Sequence, residues 1–402
     1  MSIKILAIGD VANNSEMLKK YLKKSEIHII QFPNKIYTQM FLGKDEEFFE
    51  SENILQSVEK INSIKGKFDL CFVTSWAGAR IAYLADLNYV IYFVGTDIEI
   101  PPFIKRSSNS PKIQEFDYNV IERKFYRNVL NSAVACIAPI SLYDNLKKYR
   151  KDAIRIDRVF VDESKFNLDI EPITKKKDKF TFFSPQRFAY YKGMDLICKA
   201  IALCKSDFEV LQVEWSHDPS QEGSEIMRKL LDNLPPQIKL IPTIRRDEIA
   251  SYYLFADAVL GQMRAGVLGS VEREAAFLKK PVILYYDLNN KFVIDGEKVT
   301  APFLPNSNEP AEIARVIDEV VTSKQFRDNL AEKEYKFVKD LCDPMKTSQE
   351  WDSLFESVHQ KYSTIKKNSP SYVIKYRKIL FLLGYMTNLS RIKKKIINRV
   401  TK

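Results

Sequence analysis

Glycine, histidine and paired cysteine are all scarce in this chain, and each shortage removes a class of chemistry. Glycine numbers 12 in 402 residues, under half the usual share of about 7%. Neither G-x-G-x-x-G nor G-x-x-x-x-G-K-[ST] occurs, so the common dinucleotide fingerprint and the Walker loop are excluded. Histidine occurs three times, at His28, His217 and His359, which disfavours chemistry built on several imidazoles. The five cysteines, Cys71, Cys136, Cys198, Cys204 and Cys342, form no C-x-x-C. A disulfide framework or zinc site is therefore not expected, and free thiols in a reducing cytoplasm are. No apolar run approaches the ~20 residues that cross a bilayer. The opening MSIKILAIGDVANN, with one lysine and a short apolar run, is too weak for a signal peptide, so a cytoplasmic location is expected.

What the chain does have is unevenly charged. Its formal net charge is +10, yet residues 366–402 hold eleven basic residues and no acidic one, leaving residues 1–365 at about −1. Basicity belongs to one segment, and a nucleic-acid partner, which would need a basic folded body, is not expected. Short apolar runs at 3–8, 28–32, 70–74, 90–94 and 134–138 alternate with helical patterns, including one after Ser75 as its N-cap. After the polar stretch 169–179, runs at 180–184, 209–214, 239–242, 258–261 and 281–285 alternate with helices near 194–203, 224–234, 246–255 and 270–278. Alternation of this kind predicts an α/β protein with parallel sheets covered on both faces. The expected organisation is a Rossmann-like domain over 1–168, a linker at 169–179, a second such domain over 180–345, a helix at 346–365 returning toward the first, and a basic tail at 366–402. Two doubly wound domains would face a cleft at the carboxyl edges of their sheets, where open α/β folds bind ligands.

Two segments carry the chemistry. In Ser184-Pro-Gln-Arg187-Phe-Ala-Tyr-Tyr-Lys192-Gly193-Met-Asp195 a strand ends and a helix begins, with Arg187 and Lys192 between them. Two cations at such a loop suit a diphosphate, although solvated surface cations give the same spacing. In Gly261-Gln262-Met-Arg264-Ala-Gly266-Val-Leu-Gly269-Ser270-Val-Glu272-Arg-Glu274, three of the twelve glycines fall within nine residues, again between a strand and a helix. There a ligand can approach the backbone and the helix N-terminus. Glu274, one turn in, can accept hydrogen bonds from hydroxyls, or simply complement the dipole.

Taken together, Arg-x4-Lys-Gly and, some eighty residues on, the glycine loop closing in Glu274-Ala-x5-Pro281-Val-Ile resemble the donor domain of the group 1 glycosyltransferases, a retaining family with the GT-B fold. Phe160-Val161-Asp162-x3-Phe166, Ala256-Asp257-Ala258 and Val94-Gly95-Thr96-Asp97 resemble further family segments. The likeness runs over roughly residues 3 to 355. It implies a GT-B fold with a nucleotide-sugar donor in the second domain and an acceptor on the side of the first. By that resemblance Arg187 and Lys192 grip the diphosphate and Glu274 the ribose, as the catalytic set. Gly193, Gln262, Arg264, Gly266, Gly269, Ser270 and His217 line the donor, and Gly9, Asp10, Gly95, Thr96 and Asp97 the acceptor side. No cofactor or metal is implied, and Asp-x-Asp, the metal motif of the other glycosyltransferase architecture, is absent.

Where members carry a first Glu this chain has Gly266, and where they carry His it has Val94. The loop is instead similar to a sub-branch reading Gln-x3-Gly-x2-Gly-x4-Glu, which makes Gln262, then Arg264, the expected sugar contacts. A catalytically impaired protein that binds sugar nucleotides, or a scaffold on the same fold, is the alternative to an enzyme. A sugar-nucleotide epimerase would need more carboxylates and histidines. The 366–402 tail, with Leu389, Ile392, Ile396 and Val400 on one helical stripe, is expected to hold an anionic membrane at the cytoplasmic face; its 372–386 part, where Ile374, Phe381 and Tyr385 lie off any single stripe, either joins that contact or packs on the body. That placement favours a glycan or lipid-linked acceptor.

Overall fold

The computed structural model describes residues 2–10, 13–33, 47–51, 53–95, 97–105, 118–174, 178–214, 223–362 and 369–388. These fall into two compact units, one holding the residues up to Phe160 together with those from Pro344 on, the other spanning Val161–Asp343.

The first unit runs β1 (Ile3–Ile8), α1 (Asn14–Tyr21), β2 (Ser25–Gln31), β3 (Glu47–Phe48), α2 (Ile54–Ile64), β4 (Leu70–Val73), α3 (Trp76–Leu84), β5 (Tyr89–Tyr92), α4 (Val120–Ser132), β6 (Ala135–Ala138), α5 (Ile140–Lys147) and β7 (Ile154–Arg155). Its seven strands pair in the order β3-β2-β1-β4-β5-β6-β7, all in parallel. β4, β5 and β6 are buried at every position, as a sheet covered on both faces requires. Leu6, Ile8, Val73 and Ile91 pack with Val58 of α2, Ala82 of α3 and Phe125 of α4. Ser75 caps α3 by accepting from the Gly78 N–H at 3.2 Å, and Asn119 with Glu122 forms a reciprocal capping box on α4.

The second unit runs β8 (Phe180–Ser184), α6 (Met194–Ile201), β9 (Phe208–Val213), α7 (Ser224–Leu231), β10 (Ile238–Ile241), α8 (Ile249–Phe255), β11 (Ala258–Leu260), α9 (Ser270–Phe277), β12 (Val282–Ile283), β13 (Phe292–Ile294), β14 (Glu297–Val299), α10 (Pro310–Thr322) and α11 (Lys324–Leu341). Five parallel strands pair in the order β10-β9-β8-β11-β12, and β13 and β14 form a separate antiparallel hairpin. This unit starts at Val161, inside the stretch 1–168 expected to belong to the first domain. The reason is local: Phe166 packs on Tyr253 at 6.3 Å between ring centroids, and Ile173 donates its N–H to Ser251 O at 3.3 Å. The run expected to lead into a linker is thus part of the second unit's packing.

The chain then returns to the first unit. α12 (Pro344–Tyr362) lays Trp351 and Phe355 edge-on to Phe72 of β4, each at 5.8 Å. Its Asp352 accepts from the N–H groups of Lys23 and Lys24 at 3.0 and 3.2 Å and from the Ser25 hydroxyl at 3.0 Å. α13 (Ser371–Met386) docks on α3 and α4. Its buried Arg377 pairs with Asp86 at 2.7 Å and donates to Tyr83 O at 3.0 Å. Phe381 packs on Phe125 at 5.4 Å. Of the expected tail 366–402, residues 369–388 thus pack on the protein through one face, the alternative that the sequence leaves open for 372–386. Leu389, Ile392, Ile396 and Val400 lie outside the described residues.

Candidate active site

In the second unit, the two sequence-predicted segments meet. β8 ends at Ser184, and the loop beyond it carries Arg187 and then Lys192, which closes a single 3₁₀ turn. Gly193 follows with φ +79°, and a Cβ there would lie 2.9 Å from the Met263 carbonyl carbon. Only glycine allows both the left-handed backbone and that approach. The Met263 N–H donates to Lys192 O at 2.9 Å, so the cation loop and the glycine loop are hydrogen-bonded together. Beneath them, Gln212 donates to Gln186 O and Gln186 to Gly261 O, each at 2.8 Å. This buried amide relay ties the ends of β8, β9 and β11.

The glycine loop is built around Glu272. Its Oε1 accepts from the Gln262 N–H at 3.0 Å. A Cβ on Gly261 would come 2.7 Å from its Cγ, and one on Gly269 would come 2.5 Å from its Oε2. Two of the three loop glycines therefore make room for a carboxylate of the protein itself. The third, Gly266, has φ +66°, and its carbonyl accepts from Asp287 N and Asn290 Nδ2 at 3.1 and 2.8 Å. The Gln262 amide donates to Val267 O at 2.6 Å. Arg264 pairs with both carboxylate oxygens of Asp195 at 2.7 Å, donates through Nε to Tyr190 O at 2.9 Å, and stacks 3.9 Å from the Tyr190 ring centroid. The two residues expected to touch the sugar, Gln262 and Arg264, thus each hydrogen-bond to these loops or to the helix that follows. Ser270 stands exposed as the first residue of α9.

Glu274 is buried on another side of α9. Arg246 grips it bidentately, with Nη1 to Oε2 at 2.7 Å and Nη2 to Oε1. The Tyr253 hydroxyl stands 3.5 Å from Oε2, and the guanidinium lies 4.8 Å from the Phe166 ring centroid. Burial works against charge on Arg246, but Glu274 outweighs it and holds the guanidinium more firmly protonated than usual. Lys192 behaves oppositely. Burial, reinforced by the like charge of Arg187 and opposed by Glu272, lowers its ammonium below the ordinary lysine value.

In the first unit, Gly9 (φ +72°) ends β1 against the Phe32 ring, 2.6 Å from where a Cβ would sit. Asp10 caps α1, accepting from Ser15 N and Glu16 N at 2.9 and 3.0 Å. Among the described residues, nothing lies within 4 Å of where a Cβ on Gly95 would sit. The Asp97 carbonyl accepts from Trp76 Nε1 at 2.9 Å, while burial raises its carboxyl to about 6. Thr96 and His217 lie outside the described residues.

Residues 165–337, spanning both loops and the Arg246–Glu274 pair, match the family model "Glycosyl transferases group 1". This stretch is a group 1 glycosyltransferase domain. Solved structures share the GT-B fold over most of the chain. An Anabaena protein, Alr3699/HepE, crystallised with UDP and glucose, aligns at TM-score 0.64 and 15% identity over 88% of this chain and 100% of that one. Sucrose-phosphate synthase from Thermosynechococcus elongatus aligns at TM-score 0.63 and 13% identity, covering 90% and 100%. An alpha-glucosyltransferase in complex with UDP-glucose and DNA aligns at TM-score 0.60 and 11% identity, covering 89% and 99%. No curated protein matches the chain by sequence. Within the glycosyltransferase domain, sequence reasoning missed Arg246, Asp195 and Glu272 as site-building groups. Arg246 precedes its partner by 28 residues, and no local pattern announces such a pair. Glu272 had a signal in the glycines at 261 and 269, which flank a side chain rather than only a ligand.

Proposed function

We propose that the chain transfers a sugar, with retention, from a nucleotide-sugar donor held by the second unit to an acceptor hydroxyl on a glycan or lipid-linked acceptor at the cytoplasmic face of an anionic membrane. One observation carries the donor half: Arg187 and Lys192 share a loop that is hydrogen-bonded to the glycine loop at Met263–Lys192, inside a group 1 glycosyltransferase domain. Phosphate bonds to cations are charge-assisted. Cations set where charge develops on a departing diphosphate lower the barrier directly. In the proposed step the bond from the anomeric carbon to the diphosphate oxygen breaks and the acceptor oxygen bonds that carbon on the same face. The acceptor proton passes to the leaving phosphate, so no histidine and no metal is required. Glu274, oriented by Arg246, offers its remaining lone pairs to ribose hydroxyls. UDP-glucose and UDP, held by the solved Anabaena complexes, are the first donor and the first leaving diphosphate to try. The test is a thermal-shift panel of nucleoside diphosphates and nucleotide sugars, followed by NMR of the product's anomeric configuration with and without a chelator. Failure of every nucleotide to raise the melting point, an inverted product, or loss of activity to the chelator overturns the corresponding part.

A further inference from the structure

α13 has two faces of opposite fate. One carries Arg377, Leu380, Phe381 and Gly384 and is packed on the first unit. A Cβ at Gly384 would lie 2.8 Å from Glu122 Cγ, so the helix seats directly against the capping box of α4. Asn388 donates to Glu122 Oε2 at 2.6 Å and fastens the far end. On the other face Tyr372, Tyr376, Ile379, Leu383 and Met386 follow at spacings of four, three, four and three residues. They form a continuous apolar stripe, from 71% exposed at Tyr372 to 47% at Leu383 and 67% at Met386. Helical periodicity normally hides one such stripe; here the hidden face is the other one.

A second copy of the chain does not fit this stripe well. A helix of 16 residues is about 24 Å long and 10–12 Å wide, a footprint of roughly 300 Å² where a stable interface buries ~800 Å² per partner. Charge argues further against pairing. Residues 389–402, which follow α13 in the sequence, contain Arg391, Lys393, Lys394, Lys395, Arg399 and Lys402 and no acidic residue, so pairing would bring like charges together. The same charge attracts an anionic surface. Stable attachment by a peripheral protein takes two signals, an apolar one and an electrostatic one, and both are contiguous here.

We propose that the outward stripe of α13 is the surface by which the first unit lies on an anionic bilayer, with residues 389–402 supplying the electrostatic part. This rests on the membrane reading above and goes beyond it, by making a docked, rigid helix face the contact and so fixing how the first unit lies on the lipid.

The test is flotation of the full chain with vesicles of phosphatidylcholine containing about one-third phosphatidylglycerol, and with phosphatidylcholine alone. The comparison is with Ile379→Asp/Leu383→Asp and with Lys393→Gln/Lys394→Gln/Lys395→Gln. Wild type should float with the anionic vesicles. The aspartate variant should partition at least tenfold less with its melting point and nucleoside-diphosphate binding unchanged, since both side chains point away from α4. The glutamine variant should lose several-fold. An aspartate variant that floats like wild type overturns the stripe as the contact and leaves the membrane reading standing. A wild type that floats with neither vesicle overturns both. A dimer by light scattering that the aspartate variant dissolves, without flotation, assigns the stripe to a second copy and overturns the proposal.

Discussion

Lys192 is partly buried beside Arg187 and is pulled below the ordinary lysine value of 10.5, chiefly by burial. Each charge-assisted bond to phosphate is worth about 1.5–3 kcal/mol, so Lys192→Ala should weaken nucleoside-diphosphate binding at least about tenfold in calorimetry. Because the folded value is lowered, its charge is lost as pH rises through that value, and wild-type affinity should begin to fall at a lower pH than an unperturbed lysine would dictate. The two carboxylates of α9 divide differently. Their angular separation suggests that only one faces inward, yet both are buried, against different partners. Arg246→Met would leave Glu274 buried without its cation, a loss of about 3–5 kcal/mol. Glu272→Ala would free the buried Gln262 N–H at about 1–3 kcal/mol. Urea melts of the two variants should rank in that order, and a neutral Glu272→Ala would show that the glycine loop holds its shape without the carboxylate.

At the scale of elements, α13 depends on a pair that nothing nearby in the chain announces. Burial alone would raise the Asp86 carboxyl, but the Ser369 N–H and Arg377 hold it below the ordinary aspartate value of 3.8. A lowered carboxyl stabilises the fold above its unfolded value and stops doing so as pH falls through the folded one. Hydrogen exchange along α13 should therefore quicken below about pH 4 in wild type, and at neutral pH in Arg377→Ala, while α12 stays protected. Truncation before Ser371 would also strip Leu380 and Phe381 from the core, so the cut that probes 389–402 alone falls after Asn388. Much of the fold was legible: the run at Phe180–Ser184 and the helices at Met194 and Ser270 start where sequence places them, because parallel strands buried on both faces are continuous apolar runs. The two-residue strands β3 and β7 were not, being too short to show a period. The apolar residues of 372–386 follow no single stripe, and which face of that stretch is buried was not legible, because Arg377 finds Asp86 across 291 residues. In the site, the cations and glycines were legible by type, whereas the division between ligand contacts and braces depends on partners distant in sequence, as for Arg264 with Asp195.

Across the whole molecule, the excess positive charge lies in one segment and residues 1–365 are near neutral overall, so raising salt should release vesicle-bound protein while leaving nucleotide affinity much less affected; a flotation series against a calorimetric one checks this. The path of the chain has a further consequence, for the order in which the protein is made. The second unit is contiguous from Val161 to Asp343, whereas the first waits for α12 to bring Trp351 and Phe355 onto Phe72. On a ribosome adding about 5–20 residues per second, the first-made half of the polypeptide spends roughly ten seconds or more with one sheet face open to water and to other nascent chains. The later-made domain can meanwhile close. Synthesis thus inverts the usual first-out, first-folded sequence, and early chaperone engagement should centre on the exposed side of β1, β4 and β5 until residue 355 leaves the exit tunnel.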